Sequence, residues 1–257
     1  NGGFAYGNNI AIRQFINQDS LAPEFIYLLN PDAYVSSNSV HKLVEFIIEN
    51  KRVGIVGSRI EFPNGLAQSS SFRFHTYITE LNRGASLGIL SKLLTKSVSL
   101  ESISGLPEKT DWVSGASMMI RTAVFKQIGL MDEAYFMYFE ETDFCFQAAN
   151  AGWQCWYVPQ SHVVHYVGQS SGISNGRKKE KRRPQYWFDS RRRFFLKNHG
   201  VFHAFLADLF WIVGFSTWKA RNLFQKKEDN YPPYFLRDTL MNSIFVRGTG
   251  INQVKNK

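Results

Sequence analysis

Cysteine is scarce in this sequence, and an apolar run long enough for a clear membrane span is absent. The 257 residues contain two cysteines, Cys145 and Cys155, and neither lies in a Cys-x-x-Cys pair. This excludes a disulfide scaffold and fits a reducing compartment. No internal repeat is visible. Negative charge is short as well: 21 Asp and Glu face 30 Lys and Arg, for a net charge of +9. The excess is concentrated. Between Arg177 and Lys197 stand ten basic residues against Glu180 and Asp189, which leaves the rest of the chain almost neutral. Such a block suits an anionic partner: a phosphate, an anionic membrane surface or nucleic acid. What is abundant is apolar and aromatic content, 44% and 15%. The chain can therefore bury a sizeable core and is not disordered.

The segment Tyr135-Phe-Met-Tyr-Phe-Glu-Glu-Thr-Asp143 stands out, an aromatic run ending abruptly in carboxylates. It reads as a buried strand or turn delivering acids to the edge of a cleft, with a helix from Glu140 to Ala151 closed by Gly152. Acids in a first helical turn also complement the helix dipole, and Gly is an ordinary C-cap, so both readings of this segment stand. Upstream, Asn1 to Asn9 reads as a Gly/Asn loop entering a helix at Ile10, with Asn8 and Asn9 able to cap it or bind a ligand. Phe25–Leu29 reads as a buried parallel strand, and Asp32 follows it at the position where α/β sheets bind ligands and metals. A helix over 39–50 and a strand over 53–57 complete a βαβ unit. Residues 69–110 read as a loop with a short helix, either a lid over the cleft or an ordinary surface loop. Ser114, Gly115 and Ala116 leave room for something against the backbone. Strands are expected at 153–158, ended by Pro159, and at 163–166, carrying His165. A histidine so placed serves as a structural group or as a ligand. Val201–Trp218 is nearly all apolar and rich in aromatics. Next to the basic block it suits a helix lying in a membrane interface, or else one packed on the domain.

Five ordered blocks resemble glycosyltransferase family 2: Asn1–Asn9, Leu28–Asp32, Asp111–Ala116, Phe136–Asp143, and His165 with Gly168–Ser171. Within it they are most similar to the bacterial rhamnosyltransferase-like branch of polysaccharide assembly, as is the Tyr186–Gly200 stretch. The resemblance implies an α/β fold, the GT-A nucleotide-diphospho-sugar sandwich, over residues 1–172, with a helical, membrane-associating appendage over 173–257. It implies an inverting, metal-dependent transfer from a dTDP- or UDP-sugar to a lipid-linked or polysaccharide acceptor. The expected location is peripheral, on the cytoplasmic face of the bacterial inner membrane, with no nucleic-acid partner.

By the same resemblance, Asp32 and His165 hold Mg²⁺ or Mn²⁺, with Asn30 in place of the first acid of an Asp-x-Asp motif. Asn9, Asn30, Asp32, Gly115 and Ala116 face the donor. Glu141 falls on the catalytic base position, where Asp is usual, with Glu140 and Asp143 as neighbours. Gln147 stands where Arg is common. Trp112, Arg191, Arg192 and Arg193 fall to the acceptor or lipid side. The family's first strands and base-gripping loop would precede Asn1, so a segment of about 60 to 80 residues is expected upstream. Two other readings compete. One is a non-catalytic membrane-associated protein that binds glycan or lipid. The other is nucleic-acid binding through the basic block, which lacks the alternating basic and stacking pattern of a single-strand groove.

Overall fold

The computed structural model describes residues 1–16, 22–86, 105–166, 181–226, 228–229 and 231–251. In chain order the elements are α1 (Phe4–Ile16), β1 (Phe25–Leu29), β2 (Ala33–Val35), α2 (Ser39–Glu49), β3 (Val53–Glu61), β4 (Ala67–Gln68), β5 (Ser71–Phe72) and α3 (Tyr77–Ala85). Then follow β6 (Glu108–Thr110), β7 (Trp112–Val113), β8 (Ser117–Arg121), α4 (Thr122–Ile128), α5 (Glu140–Asn150), β9 (Gln154–His165), α6 (Gln185–Gln225), α7 (Phe235–Met241) and α8 (Ile244–Arg247).

The chain divides into two units. One comprises Asn1–Arg73, Ser99–Glu133 and Glu140–Gly172; the other comprises Phe74–Val98, Ala134–Phe139 and Ile173–Lys257. The expected division at residue 172 therefore assigned two segments differently. Residues 74–98 and 134–139 group with the C-terminal helices, where their rings and buried charges find partners.

The first unit is a mixed α/β structure. Its main sheet runs β1-β8-β3-β9-β2, with β4 beside β3 and β6 beside β9. Among the described residues only the β3–β9 pair is parallel. β1 was expected to be parallel; it pairs antiparallel with β8, Phe25 opposite Arg121 and Leu29 opposite Ser117. β8 is also antiparallel to β3. Inserted between them, it leaves β1 and β3 running the same way, so the β1–α2–β3 crossover keeps its sense. β9 does not stop at Pro159. Its register against β3 shifts between Ser58 and Arg59, whose partners are Val158 and His162. The three residues between bulge out, and a bulge tolerates a proline that has no N–H to give.

α2 covers the sheet because Leu43 and Ile47, one turn apart, meet Val53, Val56, Met119 and Val158 in one buried cluster. The next residue of β3, Gly57, points the other way, where Val113 side-chain atoms lie within 2.5 Å of the place a Cβ would occupy. Phe125 and Phe144 pack α4 against α5, ring centroids 4.9 Å apart. Cys145 and Cys155 are free and buried.

The second unit is helical. α3 and α6 cross at Gly84 and Gly214: a Cβ at either glycine would come within 2.7 Å of a backbone oxygen of the other helix. α6 breaks at Gly200 (φ 79°, ψ 175°), a conformation that suits glycine. Its second half contains the stretch expected in a membrane interface. By length and composition α6 could cross a membrane. One of its faces is nonetheless buried here, through Trp211, Phe215 and Trp218 in a cluster with Phe188 and Phe235. Val201, Phe202, Phe205 and Val213 are exposed. Of the region read as a lid or surface loop, 77–85 is this packed helix α3, and 87–104 lie outside the described residues.

Arg191 was expected to face acceptor or lipid. It is 6% exposed, clamped between Glu80 (Nη2 to Oε2 2.6 Å) and Asp208 (Nη1 to Oδ1 2.5 Å). Burial alone would raise the Glu80 carboxyl; Arg191, with His75 and Arg83, outweighs it and holds the group well below the ordinary carboxylate range. Asp208 also accepts the Ile244 N–H at 2.7 Å, so the triad pins three helices together. Arg192 is turned to the end of α8, donating to the carbonyls of Arg247 and Gly248 at 3.3 Å each. Arg193 lies over the Tyr135 ring at 5.4 Å.

Removing one partner of a buried ion pair strands the others, at a cost of about 3–5 kcal/mol. Arg191→Met should lower the unfolding free energy by about that much in urea titration. An unchanged midpoint would mean that Arg191 points outward in solution.

Candidate active site

Every residue expected at the site except the three arginines belongs to the first unit. Asn30 and Asp32 stand between β1 and β2, and the pairing of β2 with β9 sets Ala33 opposite His165. That register brings His165 Nε2 to Asp32 Oδ1 at 3.1 Å and to the Asn30 amide at 3.3 Å. Nε2 serves one partner at a time: as N–H it donates to Asp32, and as a lone pair it accepts from Asn30 or a cation. The Asp32 and His165 side chains are only 11% and 15% exposed. Asp32 Oδ2 is buried with no hydrogen-bond partner.

Asn30 also binds in the other direction. Its backbone N–H donates to Ala116 O at 3.1 Å. Ala116 and Gly115 form the turn that leads into β8, and the Gly115 backbone lies near enough to the Glu141 carboxylate to lower its proton affinity. The room expected beside Gly115 is filled by a ring, since a Cβ there would come within 2.9 Å of Phe4 Cζ. A side chain at this position would have to push the Phe4 ring aside.

Glu140 and Glu141 open α5. Glu140 is 4% exposed. Burial pushes its carboxyl well above the ordinary range, and the neighbouring Glu141 charge pushes it further. Glu141 is half-buried. Burial raises its carboxyl too, opposed by its own backbone and that of Gly115. Both Oε2 atoms are buried and without a hydrogen-bond partner. Burial thus raises the proton affinity of both adjacent acids, Glu140 the more strongly, and leaves one oxygen of each without a partner. Asp143 is buried one turn further along. Tyr138 and Phe139, just before α5 in the chain, adopt left-handed backbone angles (φ 70° and 69°) rare for bulky residues. Within the second unit their rings are braced, Tyr138 by Tyr186 and Phe139 by Phe194.

Asn9 was expected to face the donor. The helix starts earlier than read, at Phe4, and Asn9 is fully buried inside it. It donates to Met131 O at 2.8 Å and Glu133 Oε1 at 2.9 Å, and accepts the Met131 N–H at 3.2 Å. Those bonds use both N–H donors and engage the carbonyl oxygen, so the buried amide serves the fold. Trp112 is stacked on Phe72 at 4.1 Å with its indole N–H on Arg73 O. The Gly168–Ser171 block lies outside the described residues. Missed in the sequence was a buried hydroxyl chain across four strands: Tyr27 to Ser117 at 2.8 Å, Ser117 to Ser58 at 2.6 Å, and Ser58 to Ser161 at 2.8 Å. Each serine alone reads as a small strand residue; only the β1-β8-β3-β9 order aligns them.

A divalent cation fits these residues. The orphaned Asp32 Oδ2 is a hard oxygen donor, and the lone pair of a neutral His165 Nε2 would supply a second donor beside it. Among the described residues no group of three or more His, Cys, Asp or Glu is arranged for a metal. Two protein ligands suit an ion that completes its shell with water and phosphate oxygens.

The model of glycosyl transferase family group 2 matches residues 25–224. An N-acetylglucosaminyl-diphospho-decaprenol L-rhamnosyltransferase of Mycobacterium tuberculosis is 28% identical over 58% of the chain and 49% of its own length. The rhamnosyltransferase WbbL of Escherichia coli is 28% identical over 64% of the chain and 61% of its own. The low-salt glycan biosynthesis hexosyltransferase Agl10 of Haloferax volcanii is 30% identical over 91% of the chain and 70% of its own. The chain thus spans about half the length of the mycobacterial relative.

The raised Glu140 carboxyl has a sign that can be measured. The folded state keeps a proton that the unfolded chain gives up near the ordinary glutamate value, so stability falls as pH rises above it. The urea midpoint should drop as pH rises above the ordinary glutamate value, and Glu140→Gln should flatten that slope. An equal slope in the variant would place the proton elsewhere.

Proposed function

Because the chain belongs to glycosyl transferase family group 2, we propose that it carries the catalytic residues of an inverting, metal-dependent glycosyltransferase. The donor is a nucleotide-diphospho-sugar, dTDP- or UDP-linked, and the acceptor is a lipid-linked or polysaccharide glycan in cell-surface assembly. Rhamnose is the sugar we assign, a choice supported by the names of the mycobacterial and E. coli relatives. A GT-A arrangement of the first unit is part of this reading, as is a peripheral position on the cytoplasmic face of the membrane.

The observation that carries the proposal is a continuous path of contacts: Glu141 to Gly115, on to Ala116, then Asn30, His165 and Asp32. It ties a candidate base to a candidate cation site through one backbone turn. Glu141 takes the proton from the attacking acceptor hydroxyl, a role worth about 10²–10⁴ in rate. Its raised proton affinity matches that task. A divalent cation held by Asp32 and His165 would neutralise the charge that develops on the leaving diphosphate. One base and one displacement give inversion; retention would need a second, nucleophilic carboxylate under the sugar.

Calorimetric titration of dTDP and UDP into the full-length protein, with and without Mn²⁺, tests this reading. Metal-dependent binding should appear and fall at least about tenfold in Asp32→Ala, since that oxygen is the charged ligand. Binding that ignores both Mn²⁺ and the substitution would overturn the assignment.

A further inference from the structure

The second unit holds a cavity of about 480 Å³ that the candidate active site does not use. Arg182, Arg183, Arg237 and Arg247 line it, against a single carboxylate, Asp238. Arg182 takes both oxygens of that carboxylate, Nε and Nη2 each at 2.7 Å. Asp238 is therefore already neutralised, and its bidentate bond fixes Arg182 at the wall. Arg237 and Arg247 have no carboxylate partner among the described residues. Arg247 is held at the end of α8, whose last carbonyls accept from Arg192. Guanidinium groups from three segments thus converge on one space, with positive charge left over. Planar guanidinium forks match phosphate oxygens in pairs, and several of them are the usual means of holding a phosphoryl group.

Apolar groups line the cavity as well: Phe188, which is buried, and Met241, which is 50% exposed. Leu240, Phe245 and Val246, on the two short helices that carry Met241 and Arg247, are also exposed. A site for a free phosphate has no use for such apolar surface. With arginines and a half-exposed methionine in one lining, the cavity matches an amphiphile, a phosphoryl head on a hydrocarbon chain.

We propose that this cavity binds the phosphate head group of a lipid-like molecule, a diphosphate or monophosphate ester on an apolar chain. Its identification as the acceptor's binding site rests on the transferase reading above; the binding itself does not. The role earlier expected of Arg191, Arg192 and Arg193 passes to Arg237 and Arg247.

The test is binding of inorganic pyrophosphate and of farnesyl diphosphate to the full-length protein, with Arg237→Ala/Arg247→Ala as the variant. Both arginines are exposed, so the variant should keep the wild-type circular dichroism and thermal midpoint, and Arg237→Lys/Arg247→Lys should recover part of the binding. Farnesyl diphosphate should bind at least about tenfold tighter than pyrophosphate, because burying a few methylenes is worth that much. Both affinities should fall at least about tenfold in the alanine variant. Equal affinity for the two probes would overturn the lipid assignment. No binding, or binding that the variant leaves intact, would overturn the site. Competition by phosphatidylglycerol vesicles against phosphatidylcholine vesicles identifies a bilayer phosphate as the source, and its absence identifies a diphosphate ester; the proposal accommodates both. Asp32→Ala should leave farnesyl diphosphate binding unchanged. If nucleotide binding proves absent while the arginine variant still loses farnesyl diphosphate, the transferase reading fails and this one stands.

Discussion

The backbone turn from Ser114 to Ser117 is the constraint on which the candidate site depends. Four separate parts of the first unit meet there. The Gly115 backbone faces Glu141, the Ala116 carbonyl holds Asn30, Ser117 joins the hydroxyl chain, and the Phe4 ring packs on Gly115. A side chain at position 115 would have to displace Phe4 and disturb the turn beside Glu141. Antiparallel pairing of β8 with β1 fixes the height of the turn against Asn30. The β2–β9 register then carries the same reference on to His165 and Asp32. Position thus passes from strand register to side chain with no long flexible link, which suits chemistry that loses rate when groups are misplaced.

Buried charge has opposite uses in the two units. In the second, Arg191 is fully matched by Glu80 and Asp208, and the triad serves to hold helices. In the first, carboxylate oxygens of Asp32, Glu140 and Glu141 are buried and left without partners. Unsatisfied buried groups cost stability, and these three are the acids on which the proposed site is built. Within the second unit the strained Tyr138–Phe139 backbone is held in place by packed rings.

Much of this was legible in the sequence. Apolar runs with Pro or Gly at their ends located β1, α2 and β3, and the acids after Phe139 marked the start of α5. Asp32, His165 and Glu141 each admitted a structural reading beside a functional one, since acids also serve a helix dipole and a histidine also packs as a structural group. What could not be read depended on strand order. Nothing local to Phe25–Leu29 announces that β8 lies between it and β3, so the strand was taken as parallel. Pro159 looked like a terminator because a bulge is visible only against a partner strand. Arg191, Arg192 and Arg193 looked alike as a run of charge, yet helical periodicity turns the first inward to Glu80. Asn9 read as a ligand-binding amide because its partners, Met131 and Glu133, lie far along the chain.

The most direct measurement is the pH dependence of sugar transfer by wild type, Glu140→Gln and Glu141→Gln. If Glu141 is the base, Glu141→Gln loses about 10²–10⁴ in kcat with little change in the KM for donor. Wild type and Glu140→Gln then share an acidic limb lying above the ordinary carboxylate range. A Glu141→Gln enzyme within a few-fold of wild type, or an acidic limb that vanishes in Glu140→Gln instead, would contradict the assignment of the base.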